Sequence, residues 1–294
     1  MYTALSKGST MTTIERPAQA TTSFLWLEIT GRCQLACSHC YADSGLEGTH
    51  GTMSTADWVR VIDEAAELGV GFVQFIGGEP TLHPDLPELV RHAVSRELRV
   101  EVFTNLVHVT PELWAVFELP GVRLATSYYS DDPGEHAAIT GRPSHARTKA
   151  NIAEALLRGI ELRVGVIHLG GGQRVEQAKA ELAELGVSRV DYDRVRGVGR
   201  AAFGESSADQ LCGGCGDGVA AVRPNGTVSP CVMARWMSTG TAREQPLAEA
   251  VAGIPAARAE LAEQGMPGRA ATLCGPDCAP KGEECWPTNC DPRY

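Results

Sequence analysis

The amino-acid sequence predicts an α/β fold: a partial (β/α)6 TIM-like barrel followed by a small Cys-rich, metal-stabilised C-terminal module. Short β-branched or aromatic runs alternate with helical segments about six times through the middle of the chain, which is typical of a parallel sheet with crossover helices. From about Gly204 onward, glycine, proline and cysteine become dense. Six units are too few for a closed eight-unit barrel, so we expect an open one.

The predicted elements follow from local pattern. The strands are expected at Phe24–Ile29, Phe72–Ile76, Val100–Phe103, Val122–Ser127, Leu162–Ile167 and Val187–Tyr192. Apolar residues at helical spacing predict helices over Thr55–Leu68, Asp85–Val94, Lys149–Leu157 and Arg174–Leu185. The first of these helices has a suitable N-terminal cap in Ser54 with Asp57.

Three regions are expected along the chain: a flexible leader over 1–22, the barrel over 23–203, and the module over 204–294. Within the module, only Pro246–Gln264 has helical periodicity. Because the module has little apolar material for a core of its own, we expect bound metal to supply much of its folding free energy.

Composition excludes some classes of function. The 294 residues carry a net charge of −10 and no apolar run long enough to cross a bilayer. The first residues of the chain are polar and lack the charged segment followed by an apolar segment that marks a secretory signal. We therefore expect a cytoplasmic protein with neither a membrane nor a nucleic acid as partner, since phosphate binding needs an excess of Lys and Arg. The acidic surface suits a cationic substrate, but simple solubility explains it too.

Cysteine is the main clue to function. Of ten cysteines, three lie close together near the first strand and seven fall between Cys212 and Cys290. Disulfides are rare in a reducing compartment, where clustered cysteines usually bind metal or act in catalysis. The distribution indicates two metal-bearing regions.

The first group is Cys33, Cys37 and Cys40, directly after the first strand. That is the sheet edge where parallel α/β folds place their chemistry. Three thiolates can hold three irons of a cubane, and the fourth iron is then open to a small molecule. A zinc site with His39 or His50 as the fourth ligand is the alternative.

This region resembles the radical S-adenosylmethionine (SAM) superfamily, whose hallmark is CxxxCxxC followed by an aromatic residue, here Tyr41. A second signature, Gly77-Gly78-Glu79-Pro80, follows the second strand. The resemblance implies a SAM-binding 4Fe–4S cluster on the three cysteines as the catalytic group, and a 5′-deoxyadenosyl radical that abstracts hydrogen. It also implies that Gly77, Gly78 and Glu79 bind the methionine amino group and that Tyr41 lies near the adenine.

The same resemblance suggests three further contacts with SAM. Asn105 matches a common Thr-Asn pair, Ser127 a residue near the ribose or carboxylate, and Arg142 a partner of the carboxylate. For each of the three, the alternative is an ordinary polar residue of a loop that does not contact SAM. Relatives often have Ser-x-Asp-Gly where this chain has Ser127-Tyr128-Tyr129. The alignment of Ser127 with its counterpart can therefore shift by a residue or more.

The second group of cysteines resembles the SPASM extension, particularly in the run that ends at Cys231. The resemblance implies one or two auxiliary 4Fe–4S clusters, in addition to SAM and its cluster. By the crossed arrangement of relatives, the two ligand sets are Cys212, Cys215, Cys231 and Cys290, and Cys274, Cys278 and Cys285. Two full clusters need one more ligand, which Asp277 or Asp291 could supply. Otherwise one cluster forms and a spare thiol donates hydrogen. A zinc ribbon is the remaining alternative.

The leading hypothesis is a radical SAM enzyme that oxidises or cross-links a side chain of a ribosomally synthesised peptide, with a reducing partner such as flavodoxin or ferredoxin. The alternatives are an epimerase or dehydrogenase acting on an aminoglycoside or aminocyclitol, and a non-catalytic iron–sulfur electron carrier or zinc module. Arg194, Arg196 and Arg200 are expected near the catalytic edge or in a solvated loop. The remaining histidines lack metal spacing and are expected at the surface or in loops: His83, His92, His108, His136, His145 and His168.

Overall fold

A computed structural model describes residues 22–202 and 204–268. The elements are β1 (Phe24–Thr30), α1 (Thr55–Glu67), β2 (Phe72–Gly77), α2 (Leu86–Ser95), β3 (Arg99–Phe103), α3 (Pro111–Phe117), β4 (Val122–Tyr128), α4 (Pro133–Thr140), α5 (His145–Leu157), β5 (Leu162–His168), α6 (Val175–Glu184), β6 (Arg189–Arg194), β7 (Val219–Val222), β8 (Thr227–Ser229), β9 (Gly240–Thr241), α7 (Leu247–Ala252) and α8 (Ile254–Glu263). The predicted strands and helices are all present, with small shifts at their ends. Helices α3 and α4 were not predicted, since each is too short for a clear apolar repeat.

The described strands form one sheet in the order β6-β5-β4-β3-β2-β1-β7-β8-β9. Strands β1 to β6 pair in parallel, which confirms the α/β class. Strand β7 pairs in parallel with β1, and β8 and β9 add antiparallel to it. The C-terminal region therefore continues the sheet of the barrel. The sequence pattern missed β7 to β9 because these strands have only two to four residues each.

Helix starts follow from the local sequence. The Ser54 side chain accepts a hydrogen bond from the backbone N–H of Asp57, whose carboxylate accepts one from the N–H of Ser54, so α1 begins with a capping box. Thr110 and Asp132 cap α3 and α4, each with proline in the first turn. The helices bury apolar side chains such as Trp58 against the outer face of the sheet.

The inner face of the sheet carries buried charge. Glu101 on β3 is fully buried and accepts hydrogen bonds of 2.9 and 2.7 Å from Arg163 on β5. Arg123 on β4 lies 2.8 Å from the same carboxylate. Closed barrels are usually filled by branched apolar residues. Here an ion network instead forms a polar floor beneath the carboxyl ends of the strands.

None of the helices in the described ranges combines the length and the apolar character that crossing a bilayer requires.

Candidate active site

A cavity of about 270 Å³ opens at the carboxyl ends of the parallel strands, close to the lower end of the size range of ligand pockets. Val232 and Met233 from the C-terminal region close one side. Eight of the residues that the sequence singled out line this cavity: Cys33, Cys37, Cys40, Tyr41, Gly77, Gly78, Asn105 and Ser127. Glu79 and Arg142 do not appear among its lining residues.

The loop that carries the three cysteines is held from two sides. The backbone N–H groups of Ala36 and Ser38 donate to the carbonyls of Thr140 and Ile139 at the end of α4, over 2.9 and 3.0 Å. On the other side, the N–H of Arg200 donates to the Cys40 carbonyl over 3.0 Å. The Arg200 side chain donates to the Ser44 carbonyl. Arg200, predicted near the catalytic edge, therefore fixes the cysteine loop.

The three thiols occupy an environment that disfavours their charged form. Burial, reinforced by the nearby Glu79, raises the pKa of Cys33 to about 12, and burial raises the pKa of Cys37 to about 11. A bound cation reverses this, because a coordinating thiol is deprotonated outright. No three His, Cys, Asp or Glu side chains of the described residues already converge on a single-ion site.

The turn after β2 requires glycine because it lies against the cysteine loop. The N–H of Gly78 donates to the Thr30 carbonyl over 2.7 Å. A Cβ on Gly78 would lie 2.4 Å from the Arg32 carbonyl oxygen, and one on Gly77 would lie 2.4 Å from that of Thr30. Only glycine permits this approach, which exposes the backbone of the turn to the cavity.

Glu79 does not line the cavity. Its carboxylate is fully buried and accepts hydrogen bonds from Thr81 Oγ1 (2.7 Å), Thr104 Oγ1 (2.6 Å) and the backbone N–H of Asn105 (2.7 Å). Burial raises the pKa of Glu79, while these donors favour its charged form. These contacts join the turn after β2 to the turn after β3, and the contact of Glu79 with a methionine amino group stays a prediction.

Asn105 and Tyr41 face the cavity in different ways. The Asn105 amide exchanges hydrogen bonds with Gln34 at 3.1 and 3.2 Å, and its nitrogen lies 3.8 Å from the Cys33 sulfur. The Tyr41 hydroxyl is buried and has no hydrogen-bond partner within the described parts of the chain. A ligand in the cavity could provide that partner, which fits a polar cofactor.

Arg142 does not line the cavity, and its contact with the SAM carboxylate stays a prediction. Gly141 has a left-handed conformation (φ 70°) that ends α4, and Arg142 lies exposed in the loop after it. The arginines that line the cavity are instead Arg163, Arg194 and Arg196, together with Asp191 and Asp193. Arg194 and Arg196 are thus near the catalytic edge as predicted, and Arg163 was missed because it lies inside a predicted strand, as the second residue of β5.

Tyr129, His39 and His136 also line the cavity. The sequence offered His39 only as a possible zinc ligand, placed His136 at the surface or in a loop, and gave Tyr129 no role. His83, His136 and His145 are all buried. A clue was available in the sequence, since Tyr129 directly follows a strand that ends at the catalytic edge and His39 lies inside the CxxxCxxC motif.

The structure describes three of the seven C-terminal cysteines. Cys215 and Cys231 lie side by side with their Cα atoms 5.1 Å apart, and both are buried. The structure thus brings two of the expected iron ligands together, and their binding of a cluster stays a prediction. The other residues expected to bind the auxiliary clusters lie outside the described ranges: Cys274, Cys278, Cys285, Cys290, Asp277 and Asp291.

Comparisons with known proteins find relatives of similar sequence and solved structures of similar fold. A 192-residue stretch is 31% identical to the PqqA peptide cyclase of Granulibacter bethesdensis, covering 64% of this chain and 50% of the relative. The chain thus spans about half the length of the curated relatives it matches. Streptococcus suis SuiB bound to S-adenosylmethionine has a similar fold, with a TM-score of 0.66, 16% identity and coverage of 80% of this chain and 68% of SuiB. SuiB bound to the precursor peptide SuiA gives a TM-score of 0.68, 14% identity and coverage of 79% and 65%.

Two family models match. Residues 212–279 match an iron-sulfur cluster-binding domain, SPASM. Residues 27–185, more than half of the chain, match the radical SAM superfamily. This range contains the cysteine loop and the Gly77-Gly78 turn, so the chain belongs to the radical SAM superfamily.

Proposed function

We propose that this protein is a radical SAM enzyme that oxidises or cross-links a side chain of a ribosomally synthesised peptide. The observation that carries the proposal is the meeting of three cysteine thiols and the Gly77-Gly78 backbone at one cavity, at the carboxyl edge of a parallel sheet. Cavities at that edge are the usual ligand sites of such sheets.

The residues of the cavity fit the cofactor of the family. Cys33, Cys37 and Cys40 would bind three irons of a 4Fe–4S cluster, which leaves one iron without a protein ligand. SAM would bind that iron beside the glycine turn, with Asn105, Ser127 and Tyr41 near it. When bound, cluster and SAM supply a 5′-deoxyadenosyl radical able to abstract hydrogen from an unactivated carbon.

The chain's own residues would position the cofactor and shield the site from water. The Gly77-Gly78 backbone provides polar groups where no side chain could fit. Trp26, Phe103 and Met233 contribute apolar walls, which would exclude water from a reactive intermediate. Next to β6 the cavity is lined by two arginines and two aspartates: Arg194, Arg196, Asp191 and Asp193. This side of the cavity would therefore offer both positive and negative groups to a substrate.

A peptide substrate suits this cavity and the family relationships. The curated relatives are named for cyclising a peptide, PqqA, and SuiB is bound to a precursor peptide in one solved structure. A peptide segment presents carbonyl, amide and side-chain groups that mixed charges can bind. No observation in the cavity favours an aminocyclitol over a peptide.

The C-terminal region would carry one or two auxiliary 4Fe–4S clusters, bound by its seven cysteines. Oxidation of the substrate releases an electron, for which such clusters offer a route. We place the barrel at 23–203 and the auxiliary module at 204–294, and we assign the enzyme to the cytoplasm with flavodoxin or ferredoxin as its reductant.

The test is anaerobic reconstitution followed by addition of SAM and dithionite, with 5′-deoxyadenosine as the product measured. The wild-type chain should release it, and the triple variant with Cys33, Cys37 and Cys40 changed to Ala should not. Cys212→Ala is the matched control, which should retain cleavage of SAM. Equal release from the triple variant would refute the proposal. Iron remaining in that variant, about eight or about four per chain, distinguishes two auxiliary clusters from one.

A further inference from the structure

One segment of the C-terminal region, residues 231–237, supplies a wall of the cavity, and we call it the wall segment. Its members Val232 and Met233 line the cavity. The backbone N–H of Arg235 donates to the Met233 carbonyl over 2.9 Å, so the chain turns tightly between these two residues. The position of Arg235 therefore sets the position of the apolar side chain that faces the cavity.

Apolar packing holds the wall segment near the barrel without fixing its exact place. Val232, Ala234 and Met237 belong to a buried apolar cluster that also contains Phe24 and Trp26 of β1. Apolar burial is non-directional, because it depends on the area removed from water. A directional contact is needed to give the wall segment one position against the sheet.

Arg235 makes a directional contact of this kind. Its Nη1 donates to Glu28 Oε2 over 2.6 Å, between residues 207 positions apart in the chain. Glu28 lies on β1 and is only 1% exposed, whereas the Arg235 side chain is 26% exposed. The Arg235 guanidinium also lies 6.0 Å from the centre of the Tyr41 ring, at the limit of a cation–π contact. Arg235 thus connects the wall segment to β1 and to the residue after the cysteine motif.

The charges around Glu28 make this contact specific. Burial raises the pKa of Glu28, and the attraction of Arg235 and Arg223 opposes that rise. Arg223 directly follows β7, and its buried Nε has no hydrogen-bond partner among the described residues. Breaking a buried pair is costly, because it leaves the other charge uncompensated. Glu28 is therefore the anion around which two arginines of the C-terminal region are arranged.

We propose that Glu28 and Arg235 are positioning residues that keep the wall segment closed against the cavity and so help to retain SAM there. The inference rests on the proposed function, because it assigns the cavity to SAM. Neither residue is among those that line the cavity, whereas Met233 and Tyr41 are. The pair therefore acts on a bound molecule through these two neighbours.

The first experiment is hydrogen exchange of the reconstituted full-length chain, followed by mass spectrometry without SAM. In Arg235→Met and in Glu28→Met, the backbone N–H groups of the wall segment should exchange at least about tenfold faster, because the segment opens more often. The double variant should exchange less rapidly than two additive effects would give, since it leaves neither partner of the pair behind.

The matched control is Arg60→Met. Arg60 also joins the barrel to the C-terminal region, because its Nη2 donates to the Ala242 carbonyl over 2.6 Å. Neither Arg60 nor Ala242 lines the cavity. In this variant the wall segment should exchange at the wild-type rate.

Cleavage of SAM by dithionite-reduced enzyme gives a second readout, which a general loss of stability would not produce. Arg235→Met should raise the KM for SAM about tenfold and change the kcat for release of 5′-deoxyadenosine by less than about twofold, as expected when uniform binding is lost. Arg235→Lys keeps a cation beside Glu28 and should recover most of the affinity.

Three results would overturn the inference: wild-type exchange of the wall segment in both Arg235→Met and Glu28→Met, equal acceleration in Arg60→Met, or a lower kcat at unchanged KM. Release of no 5′-deoxyadenosine by the wild-type chain would instead overturn the proposed function. Hydrogen exchange would still decide whether the pair holds the wall segment, because that measurement does not depend on SAM.

Discussion

Glu79 Oε2 accepts a hydrogen bond of 2.7 Å from the backbone N–H of Asn105. This contact joins the turn after β2 to the turn after β3, and the same carboxylate accepts from Thr104 Oγ1 at 2.6 Å. Asn105 is thereby fixed with its amide nitrogen 3.8 Å from the Cys33 sulfur. The acidic residue of the Gly-Gly-Glu turn thus acts on the cavity through Asn105.

Replacing Glu79 by glutamine tests this connection. Glu79→Gln exchanges an acceptor oxygen for an NH2 group among buried donors, so at least one donor loses its partner, at a cost of about 1–3 kcal/mol. We expect a lower Tm and, because Asn105 loses its support, less 5′-deoxyadenosine. The control is Glu88→Gln on the exposed first turn of α2, which should behave as wild type. A variant with unchanged Tm and reduced SAM affinity would favour direct contact of Glu79 with SAM.

Close backbone packing at Gly78 gives a second prediction. In Gly78→Ala, the new Cβ lies 2.4 Å from the Arg32 carbonyl oxygen, so the cysteine loop must move. We expect reduced iron occupancy after reconstitution and loss of stability of about 1–3 kcal/mol from overpacking. Gly71→Ala is the control, since its Cβ would meet no atom within 4 Å. Full iron occupancy in Gly78→Ala would show that the loop tolerates the displacement.

The features that the sequence predicted depend on local pattern. The strands of the barrel appear in the sequence as β-branched runs, and the cysteine spacing alone singles out three thiols that line one cavity. The orientation of Glu79 could not be predicted, because it depends on Thr104, which lies 25 residues away and is brought near only by the pairing of β2 with β3. The exposure of Arg142, directly after the left-handed Gly141 that ends α4, was likewise not visible in the sequence pattern.

The ion network inside the barrel gives a third prediction. Glu101 is fully buried; burial opposes its charge, but Arg163 lowers its pKa on balance. Arg163→Met removes two hydrogen bonds and leaves the carboxylate with Arg123 and the Gln74 amide, so we expect a loss of about 3 kcal/mol in the free energy of unfolding, measured by urea denaturation. Arg158→Met is the comparison, because Arg158 pairs with Glu118 and Glu154 at the surface. Equal losses in the two variants would contradict the role of burial.

Acid should destabilise the protein through its buried histidines. Burial lowers the pKa of His136 to about 4 from an ordinary value of 6.5, and it acts likewise on His83. Between these two pH values the unfolded chain binds a proton that the folded chain does not. The stabilising contribution is therefore complete above pH 6.5 and is lost as the pH falls toward 4, by at most about 1.4 kcal/mol per pH unit for each histidine.

Unfolding measured between pH 7.5 and 5 tests this sign. His136→Gln removes one of these protonation sites, so its stability should fall less steeply with acid than that of the wild type, even if the variant is less stable at neutral pH. His108→Gln is the matched control, because His108 is exposed and its replacement should leave the slope unchanged. A wild-type slope retained in His136→Gln would mean that His136 takes up its proton in the folded state as readily as in the unfolded chain.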